Sequence, residues 1–187
     1  MPHRTRSLKG QLLLDGGGLG GSYFHQSVVL VCEHNSEGAF GIVLNRPSES
    51  RLDSIFQQDL PARLADESIY GGGPVAPQSL CYLFAHSGAE PAGVLENLSL
   101  GHDIDELIEL ARGWPAEHPL RIFRGYAGWA PGQLDDELKR DSWIIHPATP
   151  DLIFYATPDR LWRHILQLRP EWRYRLLAEC PDDISRN

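Results

Sequence analysis

The chain has 187 residues, 42% of them hydrophobic and 22% charged, which is enough to close one apolar core without help from disulfides or metals. Its net charge of −8 works against general binding to nucleic acid or anionic membrane, because neutralising phosphates needs a positive face. The three cysteines, Cys32, Cys81 and Cys180, are widely spaced with no C-x-x-C pattern, which argues against a disulfide framework or zinc knuckle and fits a reducing cytoplasm.

The basic N-terminus is followed by an apolar run of only Leu12–Leu14, too short for a secretion signal, and no stretch approaches the roughly 20 apolar residues that span a bilayer. One domain is expected over residues 8–180, with 1–7 and 181–187 as flexible termini. Lys9–Leu14 reads as a first strand. Ser27–Cys32 reads as a second, apolar on both faces and so central in a sheet. Gly41–Leu44 is a third, closed at Pro47, which lacks an amide donor. Helices of one or two turns fit Leu52–Gln58, Gln133–Lys139 and Glu171–Ala178, turns fit Gly71–Gly73, and further strands fit Cys81–Ala85, Leu120–Phe123, Trp143–His146 and Leu152–Tyr155.

Two helices carry terminal signals. Asp103, three residues before Glu106, reads as a capping box ahead of Ile104, Leu107, Ile108 and Ala111, with Gly113 as the stop. Thr157 and Pro158 open the other, whose Leu161, Trp162, Ile165 and Leu168 form one face before Pro170. Strands and helices do not alternate as a doubly wound sheet requires, so the pattern predicts an α+β fold.

Gly16–Gly21 contains a literal G-x-G-x-x-G after a strand. A dinucleotide loop must open a helix, whereas this one leads into the Val28–Cys32 run, so it reads as a strand-to-strand loop. Cys32-Glu33-His34-Asn35 is the densest polar chemistry. On a continuing strand Cys32 and His34 share a side, roughly 7 Å apart at the α-carbons, and a protonated His34 would favour a reactive thiolate. The plainer reading makes Cys32 a core residue and His34 a brace of the next turn. The histidines show no metal-ligand spacing, and no metal or cofactor is expected. Arg160, Arg163, Arg169, Arg173 and Arg175 interleave with Trp162, Trp172 and Tyr174. That cluster suits RNA, phosphate or an acidic partner, or else solvated helix faces over tryptophans packed inward.

Several blocks belong together: Phe24 with Ser27-Val28-Val29-Leu30, the run Glu33–Pro47, Gly71-Gly72-Gly73-Pro74-Val75, Gly125-Tyr126-Ala127-Gly128-Trp129, Gly132-Gln133-Leu134 with Glu137-Leu138, and Trp143. In this order the chain resembles the YqgE/AlgH family of small bacterial proteins. It departs at Gln26, preceded by His25, where that family carries a basic residue, and in its glycine-rich first loop. The resemblance implies an α+β fold with a bent, partly barrel-like mixed sheet flanked by helices. Some family members are labelled transcriptional regulators, which names no mechanism and no catalytic residue.

With no nucleophile elbow, phosphate loop or paired carboxylates, the residues favour a non-enzymatic cytoplasmic binding or regulatory protein acting on a small molecule or protein partner. Two alternatives stay open: a cysteine-dependent enzyme or redox sensor centred on Cys32 and His34, and a nucleic-acid regulator using the C-terminal arginines. Sequence-specific duplex DNA binding is not expected. Candidate ligand contacts are His34, Asn35, Asn45, Arg46, Tyr126, Trp129 and Gln133, polar or amphipathic groups beside glycine and proline turns. The Glu33–Asn35 turn, Asn45–Pro47 and Tyr126–Gln133 are expected to meet around one concave surface, with Arg46 as the anion contact.

Overall fold

The computed structural model describes residues 7–55, 60–65, 67–86, 93–113 and 118–180. Strand β1 (Gln11–Asp15) pairs antiparallel with β2 (Val28–Asn35), which pairs antiparallel with β3 (Gly38–Val43). The position of β2 between them follows from its unbroken apolar run. Val28, Leu30 and Cys32 enter one core, while Val29 and Val31 enter another on the opposite face.

The chain continues through β4 (Pro47–Arg51), α1 (Ala62–Ala65), β5 (Ser68–Gly71), β6 (Val75–Ala85) and β7 (Leu98–Gly101). Helix α2 (Ile104–Gly113), β8 (Leu120–Trp129), α3 (Gln133–Lys139) and β9 (Trp143–Pro147) come next, followed by α4 (Pro150–Ile153), α5 (Leu161–Gln167) and α6 (Trp172–Glu179). The strands form one mixed α+β sheet in the order β4-β5-β8-β3-β2-β1-β9, open at both ends, with β6 pairing β8 and β7. Among the described residues only β5 and β8 run parallel.

The sheet turns on β8. Its first part lies between β5 and β6, and its last residues, Ala127–Trp129, change partner to β3. Gly125 marks the change with φ of +69°, and β6 carries a register shift between Val75 and Leu80. Helices α4, α5 and α6 cover one face of β1–β3 through Ile153, Leu161, Trp162, Ile165 and Tyr174. Helix α3 covers the other face through Leu134, and α2 packs Leu107 and Ile108 on the β5–β8 part. Among the described residues no helix is long and apolar enough to cross a membrane.

Several expectations need correction. Leu152–Tyr155 is no strand: Thr149 accepts from the Leu152 amide at 3.4 Å and Pro150 takes the first turn, so Leu152 and Ile153 belong to α4. Pro47 does not close the sheet but opens β4, an edge strand where a missing amide costs no ladder bond. Leu168 leaves the α5 face and is 58% exposed, because the helix ends at Gln167. Of Leu52–Gln58 only Leu52–Ser54 is helical, as a single 3-10 turn, and residues 56–58 lie outside the described residues. Strand β8 runs six residues beyond Phe123, since Gly125 and Gly128 interrupt the apolar pattern without ending the ladder.

Candidate functional site

The glycine loop is built around a carboxylate of its own chain. Asp15 is fully buried, and its Oδ1 accepts from the amides of Gly17 at 2.8 Å and Leu19 at 3.3 Å, while Oδ2 accepts from Gln26 at 2.8 Å. The amides that a dinucleotide loop would offer to a pyrophosphate are therefore already given to an internal anion. The Asp15 carbonyl in turn accepts from the Trp162 indole at 3.0 Å, tying the loop to α5.

Asn45 and Arg46 serve the same region. Asn45 is buried, accepting from the Val28 amide at 2.8 Å and donating to the Gln26 carbonyl at 2.9 Å. Arg46 donates to the carbonyls of His25 and Tyr23. Both lie beyond the Val43 end of β3, whereas Asn35 pairs with Gly38 at its other end. Of the three segments expected on one concave surface, Asn45–Pro47 is thus separated from the Glu33–Asn35 turn by the length of β3, while Tyr126–Trp129 runs beside β3 near the Asn35 end. Arg46 braces a loop.

Trp129 and Gln133 are also committed internally. The indoles of Trp129 and Trp143 both donate to Glu137 Oε2, at 2.8 and 2.7 Å, and Gln133 donates to Oε1 at 2.8 Å. Gln133 Oε1 accepts from the Ala130 amide at 3.0 Å, and Phe24 stacks on Trp129 with centroids 6.3 Å apart. This clamp fastens α3 to β8 and β9, which accounts for the W-x-x-G-Q-L block without a ligand.

The remaining candidates do come together. Cys32, His34, Asn35 and Tyr126 line an open hollow of about 850 Å³, joined by Lys9, Phe40 and His102, which the sequence reading missed. Phe40 sits 5.0 Å from Tyr126 and 6.3 Å from His102 between ring centroids, so three partly exposed rings form one wall. Their proximity arises because β3 pairs Phe40 with Gly128 while β7 delivers His102 just before α2. Only non-local pairing makes that group, and no spacing in the chain announces it.

Two polar groups in the hollow have structural duties. His34 accepts from the Leu8 amide at Nδ1, 3.2 Å, which leaves the proton on Nε2, 3.7 Å from Asp135. Cys32 is 6% exposed, and burial, followed by the neighbouring Cys81, pushes its thiol up, with Lys9 opposing. A protonated thiol is a poor nucleophile. Among the described residues no three His, Cys, Asp or Glu side chains stand together to hold a metal ion.

At the C-terminus Trp162 packs inward as expected, but Trp172 is 73% exposed and contradicts the expectation of an inward face. Arg163 donates to the carbonyls of Ala178 and Cys180, closing the end of α6, while Arg169 and Arg173 both lie over the Tyr174 ring.

Fold and hollow together define an α+β protein with an open, ring-walled cleft at the bend of a mixed sheet. The chain belongs to the AlgH-like family, whose profile matches residues 12–171. A UPF0301 protein of Mycobacterium ulcerans is 35% identical over 196 aligned positions, spanning all of this chain and 94% of the relative. A UPF0301 protein of Cytophaga hutchinsonii is 34% identical, with 96% and 98% covered. The solution structure of the AlgH protein from Pseudomonas aeruginosa superposes with a TM-score of 0.72 at 30% identity, covering 98% of this chain and 97% of that one. A crystal structure from Corynebacterium diphtheriae, with TM-score 0.70, 24% identity and 92% and 91% covered, shares the fold.

Proposed function

We propose that this chain is a non-enzymatic binding protein whose ligand occupies the hollow walled by Phe40, Tyr126 and His102. The observation that carries the reading is this group of three rings, open to solvent beside Lys9, with Asn35 donating to Glu33 at the rim, while Asn45, Arg46, Trp129 and Gln133 are spent on the fold. Rings of this kind take a planar group by stacking, and an ammonium at the rim takes an anion, so the ligand class is a small planar carboxylate or phosphate. Its regulatory role then consists in reporting that ligand to a partner. The two buried free thiols suit a reducing cytoplasm.

A thiol enzyme receives no support from a Cys32 held neutral in the floor and a His34 fixed by Leu8 and Asp135. The test is an amide-resolved NMR titration with indole-3-carboxylate and adenosine monophosphate, with benzylamine as a cationic control. Amides of Glu33–Asn35, Phe40 and His102 should shift together with the anionic probes. Lys9→Glu and Phe40→Ala should each weaken binding about tenfold, or about 1.4 kcal/mol. Shifts confined to other surfaces, or an equal response to benzylamine, would remove the reading.

A further inference from the structure

At β9 the sheet ends in an open edge, and the backbone there lines a second depression of about 570 Å³. The direction of its hydrogen-bonding groups follows from the register. Gly16 donates to the Ser142 carbonyl at 2.9 Å, which makes Asp15 and Trp143 a non-hydrogen-bonded pair, and antiparallel alternation makes Leu13 and Ile145 another. The backbone N–H and C=O of Trp143 and Ile145 therefore point away from β1, along the free edge. Arg169 donates to the Ile145 carbonyl at 3.0 Å. That leaves the Ile145 amide and both groups of Trp143 facing the groove.

The walls of the groove differ in charge. On the α6 side the guanidinium carbons of Arg169 and Arg173 lie 4.7 and 4.6 Å from the centre of the Tyr174 ring, on a molecule whose net charge is −8. Glu171 lies 3.8 Å from Arg169, but Arg173 makes no ion pair among the described residues. On the α3 side stand Leu138 and Asp141. A strand edge is satisfied by another extended backbone, whose side chains alternate between the two walls. The arginine wall selects an acidic side chain, and the Leu138 wall, with Asp141 repelling acids, selects an apolar one.

We propose that the β9 edge is a docking site for an extended segment of a partner protein with alternating acidic and β-branched residues, which adds as a short strand against Trp143 and Ile145. Pro147, which has no amide, ends the ladder at one side. Arg173 provides the specificity and the backbone provides the register.

The experiment uses the ¹⁵N-labelled full chain and three acetylated, amidated pentapeptides: Glu-Val-Glu-Val-Glu, Lys-Val-Lys-Val-Lys, and the first with its central residue replaced by proline. The acidic peptide should shift the Trp143 and Ile145 amides saturably, and slow their hydrogen exchange. The basic peptide should leave them unmoved, and the proline peptide should bind at least fivefold more weakly. Arg173→Glu should abolish the response to the acidic peptide while near-UV circular dichroism stays unchanged. Equal responses to acidic and basic peptides, or none, would overturn the proposal. So would shifts of the same amides with protein concentration alone, because the edge would then belong to a second copy of the chain.

Discussion

Asp15 shows how one side chain decides what a motif can do. Its carboxylate is fully buried and takes three backbone amides, so the glycine loop is a closed internal anion site. Asp15→Asn keeps the size but presents an NH₂ group to the Gln26 amide, leaving two donors face to face and removing the charge from all three bonds. Each charge-assisted bond contributes roughly 1.5–3 kcal/mol and the two to Oδ1 survive in weaker form. The expected cost is about 2–3 kcal/mol in urea unfolding, with amide exchange at Gly17, Leu19 and Gln26 accelerated. An unchanged midpoint with unchanged protection at these amides would show that the loop does not depend on the carboxylate.

At the scale of elements, the bend of the sheet depends on two chain segments that almost touch. A Cβ on Gly73 would lie 2.0 Å from the Tyr126 carbonyl carbon, and one on Gly125 would lie 2.3 Å from the Gly73 carbonyl oxygen. These obstacles are backbone, which cannot swing aside, and both glycines have positive φ. Gly73→Ala is therefore expected to lower the thermal midpoint by at least 10 °C or to prevent soluble expression, whereas Gly20→Ala, with open space around its Cβ position, should shift it by less than about 2 °C. Similar losses for the two variants would contradict this account. The same crossing explains what the sequence made legible. Local signals sufficed for β2, whose double-sided apolar run requires a central place, and for α2, where Asp103 accepts from the Asp105 and Glu106 amides. They failed for the partner change along β8, for α4, whose apolar residues fit strand and helix alike, and for the hollow. Phe40, Tyr126 and His102 come from three strands or their ends, and only pairing across β3, β8 and β7 makes them neighbours. Asn45 and Arg46 looked like ligand contacts for the same reason that they make good braces, since polar groups beside turns serve both purposes.

For the whole molecule, buried titratable groups set the pH range in which the fold is strong. Burial pushes the Cys32 thiol up and raises Cys81 from its ordinary 9.0 to about 12, while burial, then Glu106 and Asp103, raise Tyr82 from 10.0 to about 12. These groups are neutral when protonated, and their folded pKa values exceed the unfolded ones. Between about pH 9 and 12 the unfolded chain therefore releases protons that the folded chain keeps, and stability falls as pH rises. Each fully buried thiol contributes a slope approaching 1.4 kcal/mol per pH unit in that window. On the acid side burial, then Arg169, hold His146 below its ordinary 6.5, so the unfolded chain takes up the proton first and stability falls as pH drops through that value. Glu67, raised from 4.5 by burial, acts with the opposite sign at lower pH. The expected profile is a plateau from about pH 6.5 to 9 with a steep alkaline limb. Cys81→Ala, although less stable at pH 7.5 because it leaves a cavity, should have a shallower limb between pH 9.5 and 11.5, by up to about 1.4 kcal/mol per unit. Urea unfolding of both proteins at pH 7.5, 9.5 and 11 measures this. Parallel curves would mean that Cys81 ionises in the folded protein as readily as in the unfolded chain, and that any alkaline loss comes from the other groups, Cys32 and Tyr82 among them.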